Sequence, residues 1–168
     1  VPLHGAPTPP AAQRFSPTIH QAMLKTHYAD KIAGHISRDA TAIHAREKAA
    51  KKDPKLVVQN AERQEPVSPE PPRLQRQLER PLDENIADLP RACDWGTKKD
   101  SKGKRLTWRG FKLHLDTADG DLPVSWLLTS ASLHDRQAAI PLARMSAERI
   151  ISLYDLADAA CDADPIRQ

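Results

Sequence analysis

Two aspartates in this chain, Asp39 and Asp158, follow apolar runs that read as strands. Asp39 stands in Ile36-Ser37-Arg38-Asp39-Ala40-Thr41, and Asp158 directly follows Ile150 to Ala157. A carboxylate at the carboxyl end of a buried strand is costly unless its charge is compensated, so such a position invites a metal ion. The pair would share one if the two strands lie side by side. Their separation in sequence carries no motif by itself, and the plain alternative for Asp158 is a helix N-cap. A second group is cationic. Lys98, Lys99, Lys102, Lys104, Arg105, Arg109 and Lys112 face a single acid, Asp100, with Trp108 among them. A basic loop beside an aromatic suits phosphate contacts and base stacking. The alternative is a solvated loop with Trp108 tucked into the core.

The elements that must position these groups centre on Trp108 to Asp135. Phe111, Leu113 and Leu115 alternate with Lys112, His114 and Asp116, the period-two pattern of a half-buried strand. Ala118-Asp119-Gly120-Asp121 supplies a turn, because glycine readily takes positive φ there. Val124, Trp126 and Leu128 then alternate less strictly with Ser125, Leu127 and Thr129, so the second strand reads as the more buried. A helix follows from Asp135 to Arg149, with Ala138, Ala139, Leu142, Ala143 and Met145 inward and Pro141 as a kink or the end of a first turn. Ile150 to Ala157 reads as a central parallel strand. Two strands alone are marginal in water, so the hairpin is a piece of a larger sheet.

Upstream, residues 1–30 read as a tail and a short helix, with Ser16 as N-cap, Pro17 at the first helical position and Ile19, Ala22 and Met23 on one face. Residues 31–44 read as a first strand reaching Asp39, a helix from Ser37 onward being the alternative. Residues 45–90 change character. From Ala45 to Arg80 there are nine Lys/Arg and six Asp/Glu, and prolines break regular elements. This is expected to be a disordered, solvated insertion, helical at most near Leu74 to Leu82. Residues 91–168 then hold the hairpin, helix and last strand.

Composition agrees with one domain and its appendages. Of 15 prolines only Pro123, Pro141 and Pro165 lie beyond residue 90, so the core is expected mainly in the second half. Net charge of +3 mildly favours an anionic partner. No apolar run is long enough for a membrane span and no secretory signal is evident, so a cytoplasmic chain is the default. Cys93 and Cys161 match neither a disulfide framework nor a zinc spacing.

Trp108-Arg109-Gly110-Phe111-Lys112-Leu113-His114 followed by Leu128-Thr129-Ser130-Ala131-Ser132-Leu133-His134-Asp135 resembles the transposase DDE domain of bacterial insertion sequences. Asp158-Ala159-Ala160-Cys161-Asp162 is similar to that family's second acidic motif, with Cys161 where Tyr is usual. Ser37-Arg38-Asp39-Ala40-Thr41 is similar to the first. The resemblance covers about residues 20–168 and is weakest over 45–90. It implies an α/β chain with an incomplete ribonuclease H-like fold: a mixed sheet built as hairpin, then helix, then parallel strand. It also implies Asp39 and Asp158 as catalytic metal ligands for Mg²⁺ or Mn²⁺, with ions that activate a hydroxyl nucleophile and stabilise the leaving oxygen. His134 and Asp135 would then support the site by ordering backbone. DNA at transposon ends would be the partner, with a homo-oligomer conceivable, and DNA transposition by recombination the activity. Asp94, in Asp94-Trp95-Gly96-Thr97, is the rival first acid; Asp39 is preferred for its spacing from Thr41 and its place upstream of the insertion.

The family's third acid, a glutamate on a later helix, has no match in the sequence, and Glu148 precedes the last strand. The expectation is therefore a truncated transposase, inactive alone. The competing expectations are a non-catalytic DNA-binding protein using the basic loop, or a degenerate product without function.

Overall fold

The computed structural model describes residues 12–49, 71–99, 102–157 and 166. In chain order these form α1 (Ala12–Tyr28), β1 (Ala33–His44), α2 (Arg73–Glu79), α3 (Leu82–Ala87), β2 (Asp94–Lys99), β3 (Arg105–Ala118), β4 (Leu122–Ser130), α4 (Arg136–Ala147) and β5 (Ser152–Ala157). All five strands join one mixed sheet. β3 pairs antiparallel with β1, β2 and β4, whereas β1 and β5 run parallel. The α/β class, the hairpin, the helix and the parallel final strand are as the sequence suggests.

β1 continues through Ser37 without becoming helical and pairs with β3 from Ile36 opposite Ala118 to His44 opposite Gly110. Its β-branched Ile36, Thr41 and Ile43 favour the extended backbone. The β3–β4 turn spans Asp119 to Asp121, with Gly120 and Asp121 both at positive φ. Asp119 then reaches back to the start of β1, where its carboxylate accepts from the Gly34 and His35 amides. That contact fastens the hairpin tip to the neighbouring strand.

Burial within β3 reverses the expected sides, whereas β4 is the more buried strand, as expected. His114 and Asp116 are 2% and 0% exposed, and Ser125 and Thr129 are also buried, whereas Phe111, Leu113 and Leu115 are only partly covered and Leu128 is half exposed. Alternation located the strands but assigned the covered side by hydrophobicity alone. Here His114 is bonded to Thr129, and Asp116 to Arg38 and Ser146, which offsets the cost that would otherwise keep them in water, while the Ser125 hydroxyl has no partner among the described residues.

The apolar core is correspondingly small and divided. Leu24, Ala33, Ile36, Ala118, Val124 and Ile150 form one cluster; Leu89, Leu127, Leu133, Ala138 and Leu142 form the other. α1 contributes Leu24, with Tyr28 packed alongside, while Ile19 and Met23 are 59% and 58% exposed. The expected inward face of this helix is thus the outward one, and the helix starts at Ala12, ahead of the expected Ser16 cap. β5 is likewise an edge strand and not a central one, with Leu153, Tyr154 and Leu156 exposed.

Residues 71–90 correct the expectation of a wholly solvated insertion. α2 and α3 dock on α4 through polar side chains, which hydrophobicity cannot signal, together with Ile86 and Leu89, which pack against Ala138 and Leu142. Pro141 lies inside α4 and has no N–H for the carbonyl four residues earlier, that of Gln137. The buried Gln77 amide fills the gap, donating from Nε2 to the Gln137 carbonyl at 2.8 Å. Asn85, also buried, donates to the Gln77 carbonyl at 2.9 Å. From α4, Arg144 donates to the carbonyls of Arg80 and Leu78, both at 2.8 Å, closing the end of α2. Helices as short as α2 and α3 have little intrinsic stability, so such tertiary bonds hold them.

Candidate functional site

Asp39 lies on β1 opposite Leu115 and is exposed; its Oδ1 accepts from the Ala40 amide at 2.7 Å. One residue earlier, Arg38 pairs with Ala157 of β5. Asp158, expected as the partner carboxylate, lies outside the described residues, as does Cys161. Asp94, the rival first acid, begins β2 opposite Gly110, and β2 is separated from β5 by β3 and β1. Of the two candidates only Asp39 is on the strand that adjoins β5.

Arg38 anchors this end of the sheet. Its guanidinium makes a two-pronged bond to Asp116, Nε to Oδ1 at 2.9 Å and Nη2 to Oδ2 at 2.8 Å, and reaches Asp155 of β5 at 3.4 Å. Ser146 of α4 donates to Asp116 Oδ2 at 2.7 Å. Burial would lower the Arg38 pKa, but the bonds and charges of Asp116 and Asp155 outweigh it and hold the guanidinium above its usual value. β1, β3, β5 and α4 are thus tied together by one buried charge pair next to Asp39. Sequence reading missed Arg38, Asp116 and Ser146. The available signal was a basic and an acidic residue at like-facing positions of strands expected to neighbour one another.

His134 and Asp135 were expected to order the strand-to-helix junction. Asp135 is the N-cap position of α4 but its side chain makes no hydrogen bond to the helix backbone; it accepts from Lys112 Nζ at 2.8 Å, and Lys112 also donates to the Leu133 carbonyl at 2.7 Å. His134 is exposed and contributes its carbonyl to Gln137. His114, from the same strand as Lys112, bonds Thr129 Oγ1 through Nε2 at 2.8 Å. Burial pushes its pKa down to about 4; Asp135 opposes this shift and Lys112 adds to it. A small cavity between sheet and helix is lined by Asp39, Ala40, His114, Asp135 and Leu142 among others. His114 and Asp135 are already committed to Thr129 and Lys112.

No three His, Cys, Asp or Glu side chains come together as a metal site among the described residues. A lone exposed carboxylate does not make a divalent-cation site, which needs several oxygen ligands. The described residues therefore do not by themselves fit the Mg²⁺ or Mn²⁺ that the resemblance implies, and no chemical step is routed through a metal.

The cationic group divides in two. Lys98, Lys99, Lys102, Lys104 and Arg105 are exposed on the β2–β3 hairpin, and Arg109 is half-buried. Lys112 is withdrawn from the DNA-contacting set, its side chain 12% exposed and bound to Asp135. Trp108 is withdrawn as well. It is 7% exposed, packs 5.8 Å from Lys112 Nζ and donates from Nε1 to the Phe111 carbonyl at 3.1 Å. Gly96 makes room for it: a Cβ there would come within 2.6 Å of the Trp108 ring and of the Ala131 carbonyl. The outward aromatic of this hairpin is Trp95, 55% exposed, for which the sequence offers no binding signal of its own.

No family model, curated protein or solved structure matches the chain. No helix of the described residues is long and apolar enough to cross a membrane.

Proposed function

We propose that the chain is a ribonuclease H-like module of the DDE transposase type, which binds DNA and contributes Asp39 and Asp158 to metal-dependent cleavage and joining in transposition, without a match for the third acid that the reaction needs. The observation that carries this reading is the course of β1. It lies between antiparallel β3 and parallel β5, with α4 linking the hairpin to β5, and the β1–β5 pairing reaches Arg38 and Ala157. Those are the residues immediately before Asp39 and Asp158. The Arg38–Asp116 pair supports the same reading, because it fixes the strand that presents Asp39. When bound between two such carboxylates, Mg²⁺ or Mn²⁺ would supply a polarised oxygen and charge compensation for phosphoryl transfer.

Titration of the full chain with Mn²⁺, followed by the paramagnetic signal of the free ion, tests the assignment. Saturable binding is expected, weakened at least about tenfold by Asp39→Ala and by Asp158→Ala, as expected for lost ligands. Undiminished binding in Asp39→Ala would sink it. A second reading, a non-catalytic DNA-binding protein, is favoured by the exposed basic hairpin. It requires DNA affinity that is indifferent to both aspartates and falls when Lys98, Lys99 and Arg105 are neutralised.

A further inference from the structure

The β2–β3 hairpin sets a particular group of side chains on one face. Trp95 lies opposite Arg109, Thr97 opposite Thr107, and Lys99 opposite Arg105. Alternation puts these three pairs on one side of the two-stranded ribbon, and Gly96, Trp108, Lys98 and Leu106 on the other. Successive pairs on a face are about 7 Å apart, so an aromatic, a hydroxyl rung and a cationic rung follow one another along the ribbon. Trp95 is 55% exposed, so one flat face of its indole is open to solvent beside these cations. Lys99 and Arg105 form no ion pair with a described residue. Arg109 uses Nη2 on the Arg46 carbonyl at 3.3 Å, while its buried Nε has no partner among the described residues.

We propose that this face binds a single-stranded stretch of DNA, with an unpaired base stacked on the Trp95 indole and its phosphates against Lys99, Arg105 and Arg109. An exposed indole has a flat apolar face to offer, and a base presents its own flat face only when it has left the duplex stack. A duplex would show the ribbon its groove edges and phosphates, which use the cations but leave the indole without a stacking partner. Thr97 and Thr107 separate the aromatic from the cationic rung, so base and phosphate have distinct places. The choice of DNA as the strand rests on the transposase-type reading. The recognition itself involves neither Asp39 nor any metal.

The test measures binding of a labelled oligothymidylate of about a dozen nucleotides to the full chain by fluorescence anisotropy. Trp95→Ala is expected to weaken binding about 5- to 150-fold, the range for loss of one stacked base, while Trp95→Phe keeps most of the affinity. Lys99→Ala with Arg105→Ala is expected to flatten the log–log salt slope by about 1.4, since each phosphate contact on a single strand contributes about 0.7. Unchanged affinity in a folded Trp95→Ala chain, or tighter binding of the matching duplex than of the single strand, would overturn the proposal. Asp39→Ala provides the separation. Loss of Mn²⁺ binding with strand binding intact is expected. Loss of strand binding in folded Asp39→Ala would contradict this interface, whereas intact Mn²⁺ binding there contradicts only the metal reading.

Discussion

β3 passes through two environments, and the contrast between its halves organises the molecule. From Arg105 to Arg109 it pairs with β2 in a ribbon whose exposed side chains include cations, two threonines and the Trp95 indole. From Gly110 to Ala118 it runs between β1 and β4, where its buried side chains include His114 and Asp116. The change comes at Gly110, whose φ of +149° suits glycine and where a Cβ would stand 2.0 Å from the Ile43 carbonyl. Charges are therefore used in opposite ways within one strand. In the exposed half Arg105 is solvated and Arg109 only half-buried; in the covered half each charge is matched to a specific neighbour. Polar residues at alternating positions thus do not signal a solvent face unless their possible partners are counted.

The contrast is broken or sharpened most strongly at Asp116. Asp116→Ala leaves the Arg38 guanidinium, with a side chain only 7% exposed, without its principal partner. It is expected to destabilise the fold by about 3–5 kcal/mol, the cost of removing one side of a buried pair. Equilibrium denaturation checks this, and a loss below about 1 kcal/mol would mean that the two halves of β3 are energetically alike.

His114 gives a pH signature to the covered half. Its folded-state pKa of about 4 lies below the ordinary 6.5, so between these values the unfolded chain takes up a proton that the folded chain refuses. Stability should therefore fall as pH drops from about 6.5 towards 4, by up to about 3 kcal/mol from this group. His114→Gln should reduce that slope in denaturation curves collected across the window. An unchanged slope would remove His114 as its source.

A smaller effect is expected at Gln77. Gln77→Ala leaves the Gln137 carbonyl without the donor that compensates for Pro141, at a cost of about 1–3 kcal/mol. In a Pro141→Ala background the helix can supply its own N–H, so the same substitution should cost less, which a double-mutant cycle measures. Equal costs in both backgrounds would show that the two groups are not coupled. The smallest effect belongs to the exposed half: Lys99→Ala and Arg105→Ala should each change stability by no more than about 0.5 kcal/mol. A larger loss in thermal melting would make the ribbon a structural element and not a free surface.

The elements that period-two patterning and turn residues define were legible: β1, the β3–β4 hairpin, α4 and β5 all occupy the expected stretches. The buried face of α4 was legible in Ala138, Ala139 and Leu142, but that of β3 was not, because Arg38, Asp116 and Ser146 bond to one another only after three separate elements meet. The polar bonds that dock α2 and α3, made by Gln77, Asn85 and Arg144, were not legible either, since hydrophobic patterning marks only the Ile86 and Leu89 contacts. At the candidate site, Asp39 was legible as an acid on a strand beside β5. The roles of Trp95 and Trp108 were not, since a glycine at position 96 decides which indole turns inward.

The reading proposed above has Asp39 and Asp158 as ligands of one divalent ion. Iron substitution tests it most directly: Fe²⁺ with ascorbate generates short-lived radicals that cut the backbone beside the bound ion, and the fragments are mapped by mass spectrometry. The account predicts paired cuts near Asp39 and Asp158, competed away by Mg²⁺ and diminished together in Asp39→Ala. Cutting near only one of them, or at both in a way that Mg²⁺ does not suppress, would contradict it.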